Sequence, residues 1–215
     1  MNQAWLKPPI FIASLLPLAW YLWGLQADAL GANPIEAVTR GLGTWGLNFL
    51  LITLTVTPLR KYSGWAWLAR LRRMLGLFAF FYVCLHLTTY LWLDQFFDWT
   101  AIVKDIWKRP FITVGMTAFA LLLPLALTSN NAAIRKLGGR RWQALHRSVY
   151  VIAMLAVLHY SWMVKADLAK PLLYAGLLAV LLGLRIGWRV RERNRQRNAI
   201  PPAKTRHTIP IGVRR

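Results

Sequence analysis

The sequence predicts an all-α protein, a six-helix transmembrane bundle, on three observations. Of its 215 residues, 57% are hydrophobic and only 16% charged, a balance outside that of ordinary soluble domains. Six apolar stretches come near the roughly 17 to 25 residues that a helix needs to cross a bilayer. Bases and acids alternate between successive connections, as they do where a chain is threaded back and forth through a membrane.

The stretches are residues 10–25, 45–59, 74–93, 111–127, 148–164 and 171–188. The first has a thin basic flank, Lys7, and is followed by Ala27-Asp28-Ala29, which resembles a small-residue cleavage site. Its length and aromatic content suit a retained helix better. The second ends in Thr57-Pro58-Leu59-Arg60, and the fourth runs into Pro124-Leu125-Ala126-Leu127-Thr128-Ser129; these prolines kink or terminate their helices. The third follows Arg72-Arg73 and carries Cys84 and His86. The fifth begins just after His146-Arg147 and carries His159, and the sixth ends at Trp188. Residues 1–188 are thus expected to form one membrane domain. Residues 189–215, rich in Arg, Asn and Pro, are expected to be a disordered cytoplasmic tail drawn to anionic lipid.

A net charge of +20 invites a nucleic-acid reading, which its distribution excludes. Arg60, Lys61, Arg70, Arg72 and Arg73 fill the connection between the second and third stretches. Arg135, Lys136, Arg140, Arg141 and Arg147 fill that between the fourth and fifth, and more bases follow from Arg185 onward. Asp28, Glu36, Asp94, Asp98, Asp105 and Asp167 lie in the other connections. The positive-inside rule therefore puts both termini and the base-rich connections in the cytoplasm, with the acid-bearing connections on the other side. Tryptophans such as Trp5, Trp23, Trp45, Trp65, Trp92, Trp107, Trp142 and Trp188 cluster near the ends of the stretches, where amphipathic rings anchor a helix at the headgroups.

Three of the four histidines lie in or at the edge of apolar segments, the fourth, His207, in the basic tail. An ionisable side chain among hydrocarbon is costly unless it is paired, lines a cavity or holds a metal, so each is a candidate for function. In the predicted topology the third and fifth helices run in the same direction. His86 follows Arg73 by thirteen residues and His159 follows His146 by thirteen, a rise of roughly 20 Å. His86 and His159 then share one level toward the outer leaflet, while His146 shares the cytoplasmic level with Arg72 and Arg73. Two neutral imidazoles on facing helices can take both axial positions of a haem iron, which suits electron transfer; hydrogen bonding to another helix or lining a polar cavity is the alternative. At the inner level His146 has no histidine opposite. Arg72 and Arg73 are poor iron ligands, suited to pairing with haem propionates or simply to setting topology. His146 is expected to be a second ligand, a hydrogen-bonding group of a quinone site, or an interfacial residue.

Other chemistries are set aside. Gly41-Leu42-Gly43-Thr44-Trp45-Gly46 matches the dinucleotide fingerprint letter for letter but opens a transmembrane helix rather than following a strand, so its glycines are expected to serve helix packing or a tight entry turn. The acids are scattered over separate connections, and no Ser or Cys nucleophile has a local base motif. One cysteine, Cys84, excludes an internal disulfide, and without a C-x-x-C-H motif any haem is held by ligation and packing alone.

Several of these residues also carry a resemblance. Arg72-Arg73-Met74-Leu75-Gly76-Leu77, Leu85-His86-Leu87-Thr88-Thr89-Tyr90, Arg109-Pro110-Phe111, and Trp142-Gln143-Ala144-Leu145-His146 through Leu158-His159-Tyr160 look like the MsrQ family, also called YedZ. These are haem-binding membrane subunits of protein-methionine-sulfoxide reductase systems with a ferric reductase-like transmembrane fold. The likeness extends from about Gly31 to Gly176. The wider class, which includes NADPH oxidases, has two histidines on each of the third and fifth helices. This chain departs from that pattern, since Arg72 stands where the first of them is expected, and it lacks the oxidases' flavin and nicotinamide domain.

The resemblance implies a multi-pass protein of the bacterial inner membrane that takes electrons from the quinone pool and passes them through one or two b-type haems. It implies delivery to MsrP, a periplasmic molybdoenzyme that reduces methionine sulfoxide in envelope proteins and pairs with this subunit as a heterodimer. FMN is implied as well, with no residues to place it. On this reading His86 and His159 are the haem ligands, and His146 with Arg72 belongs to the inner level. A haem-containing metal-ion reductase is the alternative conduit; a transporter or assembly factor is the non-redox one.

Overall fold

The computed structural model describes residues 4–164 and 167–199. Among these residues the structure is helical and contains no strand. After a short 3-10 turn at Ala4–Leu6, α1 spans Lys7–Gln26. Its backbone is interrupted near Pro17, where the ring of a proline removes a helical donor. There the Tyr82 hydroxyl enters the ladder: it donates to the Ser14 carbonyl at 2.7 Å and accepts from the Leu18 N–H at 3.2 Å, standing between two groups that would otherwise bond each other.

The second helix, α2, spans Pro34–Ser63 and so begins well before the apolar stretch expected at 45. Its start is set by capping rather than hydropathy. Asn33 accepts from the Glu36 N–H at 3.2 Å and donates its side-chain amide to the Glu36 carboxylate at 2.9 Å, and Pro34 occupies the first turn. The helix stops at Gly64, whose φ of 73° is readily adopted only without a Cβ.

Beyond a 3-10 turn at Ala66–Arg70, α3 covers Arg72–Thr89 and is prolonged by a π-helical turn at Tyr90–Asp94. The amphipathic α4, Trp99–Lys108, is capped by Asp98, which accepts from the Ala101 N–H at 3.0 Å. Next come α5 at Pro110–Leu127, α6 at Asn131–Leu137, α7 at Gly139–His146, α8 at Val149–Met163 and α9 at Ala169–Ala199. Arg147 and Ser148 keep helical backbone angles, so α7 leads into α8 with little break.

Among the described residues, five helical segments are long and apolar enough to cross a membrane: Lys7–Gln26, Pro34–Ser63, Arg72–Asp94, Pro110–Leu127 and Ala169–Asn198. The fifth expected stretch, residues 148–164, is α8, shorter at 15 residues, with Ile152, Ala153 and Val157 buried. The apolar segments therefore fall where the sequence puts them. Besides the early start of α2, a second boundary differs: α9 continues to Ala199, so helix occupies the first part of what the sequence suggests is a disordered tail. Arg, Glu and Gln are good helix formers, and Arg189 lies over the Tyr150 ring at 5.9 Å. The rest of that tail, His207 included, lies outside the described residues.

Two antiparallel pairs, α2 with α3 and α5 with α8, make the closest packing. Phe49, Leu50 and Leu54 of α2 and Leu75, Phe78, Ala79 and Tyr82 of α3 are buried in one core, where the Phe49 and Tyr82 rings stack at 5.2 Å. Small residues let the helices approach. The fingerprint-like glycines of α2 act this way: a Cβ on Gly41 would overlap the Tyr21 ring, one on Gly46 would lie 2.7 Å from Val83, and Gly43 faces His86.

Candidate functional site

His86, near the end of α3, and His159, near the end of α8, come together although they are far apart in sequence. Their ring centres are 6.2 Å apart with the ring planes at 70°. Two imidazoles bound on opposite sides of one metal place their ring centres about 6.2 to 6.4 Å apart, taking about 2.0 to 2.1 Å for each metal–nitrogen bond and about 1.1 Å from nitrogen to ring centre. The spacing fits a shared metal, and the described residues hold no cluster of three or more His, Cys, Asp or Glu that would cage an ion. A pair of ligands, rather than a cage, suits a planar metal complex whose macrocycle supplies the remaining ligands.

Each histidine is held by the same local device. His86 Nδ1 lies 2.8 Å from the Thr39 carbonyl of α2, and His159 Nδ1 lies 2.6 Å from the Phe111 carbonyl of α5. A carbonyl only accepts, so Nδ1 carries the proton in both rings and Nε2 is the nitrogen left with a lone pair. One helical turn beyond each carbonyl stands a glycine against the ring. A Cβ on Gly43 would sit 3.0 Å from His86 Nδ1, and one on Gly115 would sit 2.9 Å from His159 Nδ1. Both helices thus pair a carbonyl at position i with a glycine at i+4, which brings two faces of one turn to the imidazole.

A cavity of about 240 Å³ adjoins the pair, between α2, α3, α5 and α8. Leu47, Leu50, Ala79, Val83, Leu122 and Ile152 give much of it an apolar wall. Its polar lining, including Thr39, Arg40, Tyr90, Asp94 and Arg109, comes from the end of the bundle that holds the starts of α2 and α5.

The opposite, base-rich end holds a second cavity of about 370 Å³, lined by Arg72, Arg73, His146 and Arg185 together with Thr53 and Tyr150. No carboxylate is among the described residues lining it. His146 and Arg72 therefore share one compartment, as their sequence level suggests. His146 differs from the other pair. Its Nε2 lies 3.0 Å from Thr128 Oγ1, and its ring stacks on Trp142 with centres 3.9 Å apart. Trp142 is fixed in turn, donating its indole N–H to the Thr128 carbonyl at 2.8 Å. Burial, reinforced by Arg72 and Arg73, holds His146 below the ordinary histidine pKa. Arg185 reaches across from α9, donating to the Tyr150 hydroxyl at 3.0 Å and to the Leu54 carbonyl.

The sequence singles out the histidines and Arg72 but not their supports: Thr39, Gly43, Phe111, Gly115, Thr128 and Arg185. The repeated i, i+4 carbonyl–glycine relation was available as a signal only in part, because a backbone carbonyl has no residue type. Gly115 in the second turn of α5 was the visible half.

Residues 42–157 match the ferric reductase like transmembrane component family, and the helical bundle with its facing histidines defines a chain of that class. Curated relatives narrow the class. The chain is 66% identical over 177 residues to the protein-methionine-sulfoxide reductase heme-binding subunit MsrQ of Azospira oryzae, covering 82% of this chain and 76% of that protein. It is 61% identical over 172 residues to the MsrQ of Rhodospirillum rubrum, covering 80% and 83%. With that of Herminiimonas arsenicoxydans it is 57% identical over 178 residues, covering 82% of each. The chain belongs to the MsrQ family.

Proposed function

We propose that the chain is a b-type cytochrome of the bacterial inner membrane, relaying electrons from quinol to an MsrP-like periplasmic molybdoenzyme that reduces methionine sulfoxide. The observation that carries this reading is the 6.2 Å spacing of His86 and His159, with each Nδ1 on a helix carbonyl. When bound, haem supplies reversible one-electron chemistry at its iron. The chain's own residues do the rest. His86 and His159 would hold the iron through Nε2, with Thr39 and Phe111 fixing the rings in that tautomer and Gly43 and Gly115 admitting them. Held by two histidines, such an iron would favour electron passage over oxygen binding.

The base-rich end faces the cytoplasm by the positive-inside rule, and the acid-bearing end, with the paired histidines, faces the periplasm. Residues 1–188 form the membrane domain and the following basic residues meet anionic lipid. At the inner level Arg72 and His146 bind the polar groups of that cavity's occupant, a quinone, FMN or a second haem. Oxidation of a quinol releases two electrons and two protons; reduction of a sulfoxide consumes two of each and yields the thioether and water.

The decisive experiment is the absorption spectrum of the purified chain before and after reduction. A reducible low-spin b-type spectrum that loses the haem held by this pair in His86→Ala and in His159→Ala is expected; no such spectrum in the unaltered chain overturns the reading. Co-purification with a molybdoprotein, against turnover of ferric chelates without one, separates this function from metal-ion reduction.

A further inference from the structure

We infer that Thr39, Arg40, Tyr90 and Arg109 form a carboxylate-binding mouth at the acid-bearing end of the first cavity, and that they hold the two propionates of the haem clasped by His86 and His159. The inference rests on the haem reading above and places the propionates at the opposite end of the bundle from Arg72 and Arg73.

Two buried hydroxyls in the lining make no hydrogen bond within 3.5 Å: Thr39 Oγ1, and Tyr90 Oη, which stands close to the Asp105 carboxylate. A buried donor left unpaired is costly, and both belong to the wall of a cavity that is otherwise largely apolar. Two guanidiniums line the same mouth. Arg40 pairs with Glu36, and Arg109 with Asp105 at 3.4 Å. Each pair uses only part of a five-donor fork, so donors remain for a second acceptor. Arg40 and Arg109 are each just over half exposed, at 57% and 54%, as expected of groups that bridge a buried ligand and water. Asp94 lines the mouth too, and Asp105 and Glu36 stand beside its arginines; all three would repel the ligand's carboxylates, so the guanidiniums and hydroxyls must outweigh them.

The connectivity ties this mouth to the ligands. Thr39 offers its carbonyl to His86 Nδ1 while its hydroxyl lines the cavity. Arg109 is the residue before α5 and stands two positions ahead of Phe111, which holds His159. The same two segments that orient the imidazoles therefore supply the groups for the ligand's edge. A planar ligand with apolar faces and two carboxylates on one edge matches this division of the wall.

The test compares iron protoporphyrin with its dimethyl ester, which keeps the iron and macrocycle but lacks both negative charges. Full-length protein from haem-deficient cells is titrated with each, and the low-spin spectrum reports binding. The unaltered chain should bind the free acid about tenfold or more tightly than the ester, the range for charge-assisted hydrogen bonds. That ratio should collapse toward one in Arg109→Gln and fall in Thr39→Val, Tyr90→Phe and Arg40→Gln. In Lys108→Gln, an exposed charge beside Arg109, it should persist. Equal affinity for acid and ester in the unaltered chain, or a ratio that survives in all four variants, overturns the assignment. Failure to bind either porphyrin, or full binding after His86→Ala, instead overturns the axial-ligand reading and this one with it.

Discussion

A methyl group on Gly115 would stand 2.9 Å from the His159 ring, and one on Gly43 would stand 3.0 Å from that of His86. Either histidine must then give way, and with it the hydrogen bond that sets its tautomer. Gly115→Ala and Gly43→Ala should lose more than half of the bound haem or shift its low-spin EPR signal. Gly187→Ala, where an added Cβ meets nothing within 4 Å, should behave as the unaltered chain. The histidines were legible from the sequence because an ionisable group in an apolar run stands out. Their supports were not: a carbonyl can come from any residue, and only the fold shows that Thr39 and Phe111 supply it. His146 was legible as a candidate, but its hydrogen bond to Thr128 and its stack on Trp142 depend on how α7 folds back against the end of α5.

Between helices, Arg185 is a charged polar tie, joining α9 to the Tyr150 hydroxyl of α8 and the Leu54 carbonyl of α2. Arg185→Leu should cost about 1.5 to 3 kcal/mol, the worth of hydrogen bonds to a charged donor. It should lower the unfolding temperature in detergent, whereas exposed Arg191→Leu should not. A second element, α4, turns Trp99, Val103 and Trp107 outward along one stripe, with Lys104 and Lys108 exposed beside them. That pattern places a helix in the headgroup region. A spin label at Trp107→Cys, in a Cys84→Ser background, should report shallow membrane depth; free tumbling in water would contradict it. Hydropathy alone located the long helices, but it overlooked α4, α6 and α7, which are short and polar or amphipathic. It also placed the start of α2 too late, because the signal there is the Asn33–Glu36 cap and the polar Arg40 masks the helix from an apolar window.

Across the whole chain, the two closely packed helix pairs each carry one half of the histidine clamp. A ligand bridging them stabilises the folded state by mass action, by about 2.7 kcal/mol at a hundredfold excess over its dissociation constant. The haem-free protein should therefore unfold at a lower temperature than the loaded one, and His86→Ala should erase the difference. The bundle's class was legible from composition and charge alternation, since a bilayer imposes helices on any apolar chain that crosses it. How the pairs meet was not, because helix packing in a membrane depends on local shape more than on hydropathy. One helix pair brings His86 against Thr39 and the other brings His159 against Phe111, so on the proposed ligation neither would yield a six-coordinate spectrum alone. On the proposed ligation the pigment would become a gauge of assembly: a chain showing the low-spin bands would have both helix pairs in register, and the colour of a membrane preparation would count its correctly built molecules.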